Sequence, residues 1–145
     1  MEAYELDSDA LARSKLSNDY LLALTAARSV ALDLRELGDV AAARELDEAS
    51  FRHAREVLGN DHPLTLGLWN NLATDLRELG DVAAARELDE VGVQRACAVL
   101  GECHPITLSF RANLAADFRE MGDLEAAAPL EASLKTTGPG SRWLY

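Results

Sequence analysis

At 145 residues, with 27% charged and 6% aromatic side chains, the chain has the size of one domain and a composition neither disordered nor rich in aromatics. Twenty-five acids against fourteen bases leave a net charge of -11, which excludes nucleic acid and anionic membranes as principal partners, because both select a basic surface. No apolar run approaches the ~20 residues of a membrane span, and residues 1–9 carry acids and no base, unlike a secretion signal. A cytoplasmic location is the expectation. Cys97 and Cys103 are too few for a disulfide framework, and with His104 they give no recognised metal-ligand spacing, so no metal or other cofactor is expected.

Taken in chain order, the sequence is a repeat. Residues 1–16 align at an offset of 42 with the stretch beginning at Ala43, and Ala12, Arg13 and Leu16 match Ala54, Arg55 and Leu58. They read as the second helix of a repeat whose first helix is missing, either cut from a longer array or serving as a cap. Repeat one spans 17–58. Ser17-Asn18-Asp19 offers helix-starting side chains, after which Leu21, Leu24, Ala27, Val30, Ala31, Leu34 and Leu37 mark one helical face. Gly38 stops this helix and Asp39 caps the next. Repeat two spans 59–100. Asn60-Asp61-His62-Pro63 opens it, with proline in the first turn where its missing N–H costs nothing. Leu66, Trp69, Leu72, Ala73, Leu76 and Leu79 form the expected buried face of its first helix. Val82, Ala85, Leu88, Ala96 and Val99 do so for its second, while Arg86, Glu87, Asp89 and Glu90 read as solvated. Repeat three spans 101–135 and carries Leu108, Leu114, Ala115, Phe118 and Met121 before Gly122-Asp123. Pro129 then predicts a kink, or a helix frayed by Lys135, because a proline inside a straight helix costs ~3 kcal/mol. Residues 136–145 read as a tail broken by Gly138-Pro139-Gly140 and ending in Arg142-Trp143-Leu144-Tyr145.

The organising feature is a sixteen-residue string, D-L-R-E-L-G-D-V-A-A-A-R-E-L-D-E, identical at Asp33–Glu48 and Asp75–Glu90, with a looser copy from Asp117. A fixed period of this size is the mark of a stacked-repeat architecture. Together with H-P-L-T-L and N-N-L-A in the stretch His62–Leu88, it resembles the tetratricopeptide repeat (TPR) family. The similarity is to the 42-residue type of kinesin light chains and many bacterial proteins, and it covers about residues 17–134. The resemblance implies an all-α, right-handed superhelix of antiparallel helix pairs, about three repeats plus the N-terminal partial helix. It also implies small side chains at the helix crossings: Ala31, Ala43 and Ser50, then Ala73, Ala85 and Gly92, then Ala115 and Ala127, with Leu134 departing. Asp47 and Asp89 stand where the family usually has an aromatic.

By the same resemblance, first helices line a concave groove. Its polar positions are Gly67, Asn70, Asn71, Thr74, Arg77 and Glu78 in repeat two. They are Arg28, Ser29, Leu32, Arg35 and Glu36 before it, and Ala112, Asn113, Ala116, Arg119 and Glu120 after it. Asn71 and Asn113 share a column suited to the backbone of an extended peptide, since an amide both donates and accepts. Arg35, Arg77 and Arg119 form a second column that could grip carboxylates or be solvated surface. No phosphate loop, metal cluster or nucleophile setting appears. The expected function is therefore non-enzymatic: a module that binds a peptide or protein segment through Ser29, Arg35, Asn70, Asn71, Thr74, Arg77, Asn113 and Arg119, alone or within a larger regulatory protein. The alternative is self-association through the solenoid ends, where Leu6, Leu11 and Leu16 would lie exposed, or through Trp143, Leu144 and Tyr145.

Overall fold

A computed structural model describes the backbone of residues 2–136 and the side chains of residues 18–135. Six helices follow one another, with no strand among the described residues: α1 (Glu2–Glu36), α2 (Val40–Leu58), α3 (Pro63–Glu78), α4 (Val82–Leu100), α5 (Pro105–Glu120) and α6 (Leu124–Thr136). Each packs on its neighbours in sequence, and α3 also reaches α5 directly. This is the all-α repeat superhelix, with α1, α3 and α5 as first helices and α2, α4 and α6 as second helices.

The turns follow from short-range chemistry repeated at each copy. At the end of α3, Gly80 takes φ 94°, a left-handed conformation that costs a residue with a Cβ but not glycine. Its N–H donates to the Arg77 carbonyl, and the Asp81 N–H reaches back to Leu76 O at 2.9 Å, closing the helix end as a Schellman motif. The Asp81 carboxylate then accepts from Ala84 N at 3.2 Å, satisfying one of the open donors of α4. Between repeats, the His62 and His104 rings cap α3 and α5, each Nδ1 accepting from a backbone N–H two residues on at 3.1 Å.

The helix start expected at Ser17-Asn18-Asp19 is absent, because α1 runs through it without a break. Ser17 stands where the later repeats have Gly59 and Gly101, and Leu21 stands where they have Pro63 and Pro105. Short polar residues cost a helix interior only about 0.5 kcal/mol each relative to alanine, too little to stop it without the glycine and proline. α6 continues through Pro129 to Thr136. The proline forfeits one hydrogen bond, to the Glu125 carbonyl in the first turn, and the helix propagates beyond it. The side chains of Leu6, Leu11 and Leu16, and all of Trp143, Leu144 and Tyr145, lie outside the described residues.

Small residues sit at the crossings. Ala31, Ala43, Ala73 and Ala85 are completely buried, and Ala115 and Ala127 nearly so. Gly92 is the tightest point, since a Cβ there would lie 2.3 Å from the Phe110 ring. Around these crossings lie two apolar clusters, one at each junction between repeats. Leu24, Ala54 and Leu68 are packed by Tyr20, Phe51, Leu58 and Leu64. Leu66, Ala96 and Phe110 are packed by Trp69, Val93, Leu100 and Ile106. Trp69 ties the two together: its ring lies 5.7 Å from Phe51 and 6.2 Å from Phe110, and its indole N–H donates to Leu88 O at 3.0 Å.

Some expected core positions face water. Leu37, Leu79 and Met121 are exposed because they sit at the very ends of first helices, past the packed face. Val30 is exposed because no described helix covers that side of α1, and Val99 lies in the last turn of α4. The opposite correction concerns Asp89. It was expected to be solvated, yet both it and its repeat-one counterpart Asp47 are fully buried.

Candidate functional site

The first helices do form a cleft. It holds about 350 Å³ and is lined by Thr25, Arg28, Ser29, Leu32 and Arg35 of α1 and by Asn71 of α3. Helical spacing puts Arg28, Leu32 and Arg35 on one stripe of α1, and Arg28 lies across α3 where Gly67 leaves room, within van der Waals reach of a Cβ built there. Among the described residues, the Arg28 guanidinium has no ion pair and the Asn71 amide no hydrogen-bond partner. Ser29 at the cleft edge donates to the Thr25 carbonyl of its own helix at 3.2 Å.

Most of the other expected groove residues hold one another instead. Asn70 is buried, and its side-chain Oδ1 accepts from the Ser109 hydroxyl at 2.9 Å, which braces α3 against α5. The Asn113 amide donates to the Thr74 hydroxyl at 3.0 Å, and that hydroxyl donates to the backbone carbonyl of Asn70 one turn earlier at 3.1 Å. Arg77 donates to the Asn113 backbone carbonyl at 3.1 Å.

The arginine column is inward-facing at both internal junctions. Arg35 bridges two buried carboxylates, Asp47 of α2 at 3.0 Å and Asp75 of α3 at 2.7 Å. One repeat later Arg77 pairs with a single carboxylate, Asp117 of α5, at 3.4 Å, and both oxygens of Asp89 are left without a hydrogen-bond partner. Burial works against the Arg35 charge, but the hydrogen bond and charge of Asp75 and the charge of Asp47 outweigh it, and its pKa is raised. Arg119, at the end of the array, is exposed and forms a two-pronged pair with Glu131.

Each junction thus holds two aspartates and one arginine, a net negative charge if all ionise. Removing charges from water is costly, and at each junction this raises the pKa of one aspartate. Burial, with the hydrogen bond and charge of Asp75, pushes Asp47 up to about 8 against the pull of Arg35. Burial and the Asp117 carboxylate push Asp89 up to about 9 against Arg77. Five buried oxygens on Asp47, Asp75, Asp89 and Asp117 have no donor from another group. A proton held on one carboxyl of each pair would bridge the two carboxyls and serve four of these five, leaving one Asp89 oxygen. The sequence signal was present, because Asp47 and Asp89 replace an expected aromatic exactly one repeat apart, but only the fold shows what they meet.

Comparison with known proteins agrees with this architecture. The sequence model of the tetratricopeptide repeat family matches residues 22–98, more than half of the chain, and the chain belongs to that family. Among solved structures it is similar to nearly identical TPR-like repeats assigned to a kinesin light chain of Podosopora anserina. That match has 25% identity and a TM-score of 0.74, and it covers 81% of this chain and 60% of the other. A single-site variant of the same protein matches with a TM-score of 0.73. The chain therefore spans about 60% of the length of the structures it resembles, and it is a kinesin-light-chain-like TPR protein. A comparison with curated proteins finds no match. TPR repeats are in general protein–protein interaction modules, and the fold is a non-enzymatic scaffold for such contacts.

Proposed function

We propose that the chain binds an extended segment of a partner protein in the cleft between α1 and α3. The observation that carries this reading is the Asn71 amide and the Arg28 guanidinium facing one cleft with no described internal partner, while Asn70, Thr74, Arg77 and Asn113 on the same face are bonded to the protein. The Asn71 amide matches the N–H and C=O of a peptide backbone. Arg28 adds a carboxylate preference through a forked, charge-assisted hydrogen bond, so the favoured segment carries an acidic side chain or ends near Arg28. Ser29 and Leu32 supply a hydroxyl and an apolar contact on either side.

Selection of binders from a random peptide library against the intact chain tests this. Peptides enriched in Asp or Glu should emerge, and their Kd should weaken about tenfold or more in Asn71→Ala and in Arg28→Ala, as expected when a hydrogen bond to a charged or backbone group is lost. Selected peptides that bind both variants as tightly as the wild type would remove the cleft from consideration.

A further inference from the structure

The outward faces of α1 and α6 are complementary to each other. At each internal junction a four-residue stripe on a first helix is covered by the second helix before it. In α3 the stripe is Thr65, Leu68, Leu72 and Asp75, all buried, with Leu68 packed in the cluster that holds Ala54 of α2. In α5 it is Thr107, Phe110, Leu114 and Asp117, also buried, with Phe110 against Gly92 of α4. In α1 the same positions are Ala23, Ala26, Val30 and Asp33, and all four are exposed. Asp33 is thus the counterpart of Asp75 and Asp117 without an arginine facing it among the described residues.

The opposite end presents what Asp33 lacks. Arg119 and Glu131 stand at the positions of Arg35 with Asp47 and of Arg77 with Asp89. The Arg119 side chain is 58% exposed, whereas those of Arg35 and Arg77 are 14% and 15% exposed. Internally, each arginine takes a carboxylate from the next first helix, Arg35 that of Asp75 and Arg77 that of Asp117. At Arg119 no described helix follows to provide one.

We propose that copies of this chain dock head to tail, α1 of one copy on α6 of another, with Asp33 completing the Arg119–Glu131 pair as Asp75 completes Arg35–Asp47. Side-chain size points to a second copy as the occupant. The pair that meets at the second junction is Gly92 with Phe110, the smallest residue against a large one. The equivalent positions one junction earlier hold Ser50 and Leu68. Across the two ends they hold Leu134 and Ala26, the large residue now on the second helix and the small one on the first. Such an exchange conserves the volume at the contact, which packed interfaces require. The contact is heterologous, so it propagates into filaments rather than closing as a symmetric dimer. It concerns the ends of the solenoid and goes beyond the cleft reading.

Sedimentation velocity on the full chain over a dilution series, at an ionic strength of about 0.15 M to screen the long-range repulsion of two acidic chains, tests the proposal with two variants, Asp33→Arg and Arg119→Asp. Wild type should form oligomers whose size grows with concentration. Each variant should associate roughly thirtyfold or more weakly, as for loss of one partner of a desolvated charge pair. An equimolar mixture of the two variants should recover association, because opposite charges then face each other at every contact. Unchanged helical melting curves would show that the exposed substitutions leave the fold intact. A wild type that stays monomeric at all concentrations, variants that associate like wild type, or a mixture that does not recover would each overturn the proposal. If removal of residues 137–145 turned a monomer into an oligomer, the tail rather than a second copy would be the occupant. Asn71→Ala and Arg28→Ala, the variants that test the cleft, lie off the docking stripe and should associate like the wild type, so the two readings fail separately.

Discussion

Asp89→Asn should make the protein more stable, and more so as pH rises. Asparagine keeps the shape of the buried acid and offers an N–H to Asp117, the role the held proton plays in the native chain. In the unfolded chain Asp89 ionises near 3.8, and in the fold near 9. At pH 7 the folded protein must hold a proton that the unfolded chain releases. At 1.36 kcal/mol per pH unit over roughly three units, that costs about 4 kcal/mol. Relaxation of the helices lowers this figure, and the substitution also removes some attraction to Arg77, so a net gain of about 1–3 kcal/mol at pH 7 is expected. The sign follows from the raised folded pKa. The stability tied to neutral Asp89 is fully present below pH 4 and is lost as pH rises through about 9. Urea unfolding followed by far-UV circular dichroism at about pH 4, 7 and 9 measures it. The advantage of the variant should be near zero at the lowest pH and largest at the highest. An advantage that is constant with pH, or one that shrinks as pH rises, would refute a held proton.

Gly92→Ala forces a Cβ to within 2.3 Å of the Phe110 ring and should cost about 1–3 kcal/mol, read as a lower thermal midpoint; adding Phe110→Leu to it should recover part of the loss. Arg77→Ala leaves Asp117 buried without its cation and should cost about 3–5 kcal/mol. Arg119→Ala should leave unfolding of the dilute, unassociated chain unchanged, and a large loss there would contradict the difference in burial. Pro129→Ala restores a hydrogen bond to the Glu125 carbonyl and should stabilise α6 by about 1–3 kcal/mol, visible as slower amide exchange along that helix.

The period of 42, the glycine–aspartate turns and the alanines at the crossings were legible because each is local chemistry or a volume limit written into single positions. Ala73 and Ala85 could be placed at a crossing from the sequence, and both are completely buried. The continuous α1 was legible too, had the missing glycine at position 17 and proline at position 21 been weighed above the Ser-Asn-Asp cap. The arginine column is a different matter. Helical spacing puts Arg35 and Arg77 on the polar side of a first helix, yet an arginine side chain is long enough to turn back onto a neighbouring helix. Whether it does so depends on Asp75 and Asp117, which are 40 residues away in each case. Asp89 was misread for the same reason. Its flanks, Arg86, Glu87 and Glu90, are charged, and only contact with the next repeat makes that turn of the helix an interior. Asn71 and Asn113 share one column, but Asn113 meets Thr74 while the matching position for Asn71 is Leu32, which has no hydroxyl to offer.

The sixteen residues shared by Asp33–Glu48 and Asp75–Glu90 include an arginine of each internal junction and one carboxylate from either side of it. Excision of 42 residues with both breakpoints inside that string regenerates the same text across the splice, so the shortened chain meets no unfamiliar neighbour at the join. Duplication by the same route inserts a unit just as silently. Unequal recombination can therefore lengthen or trim such an array while the turn and cap at the join stay as they were, and only the helix faces outside the string must accept a new partner.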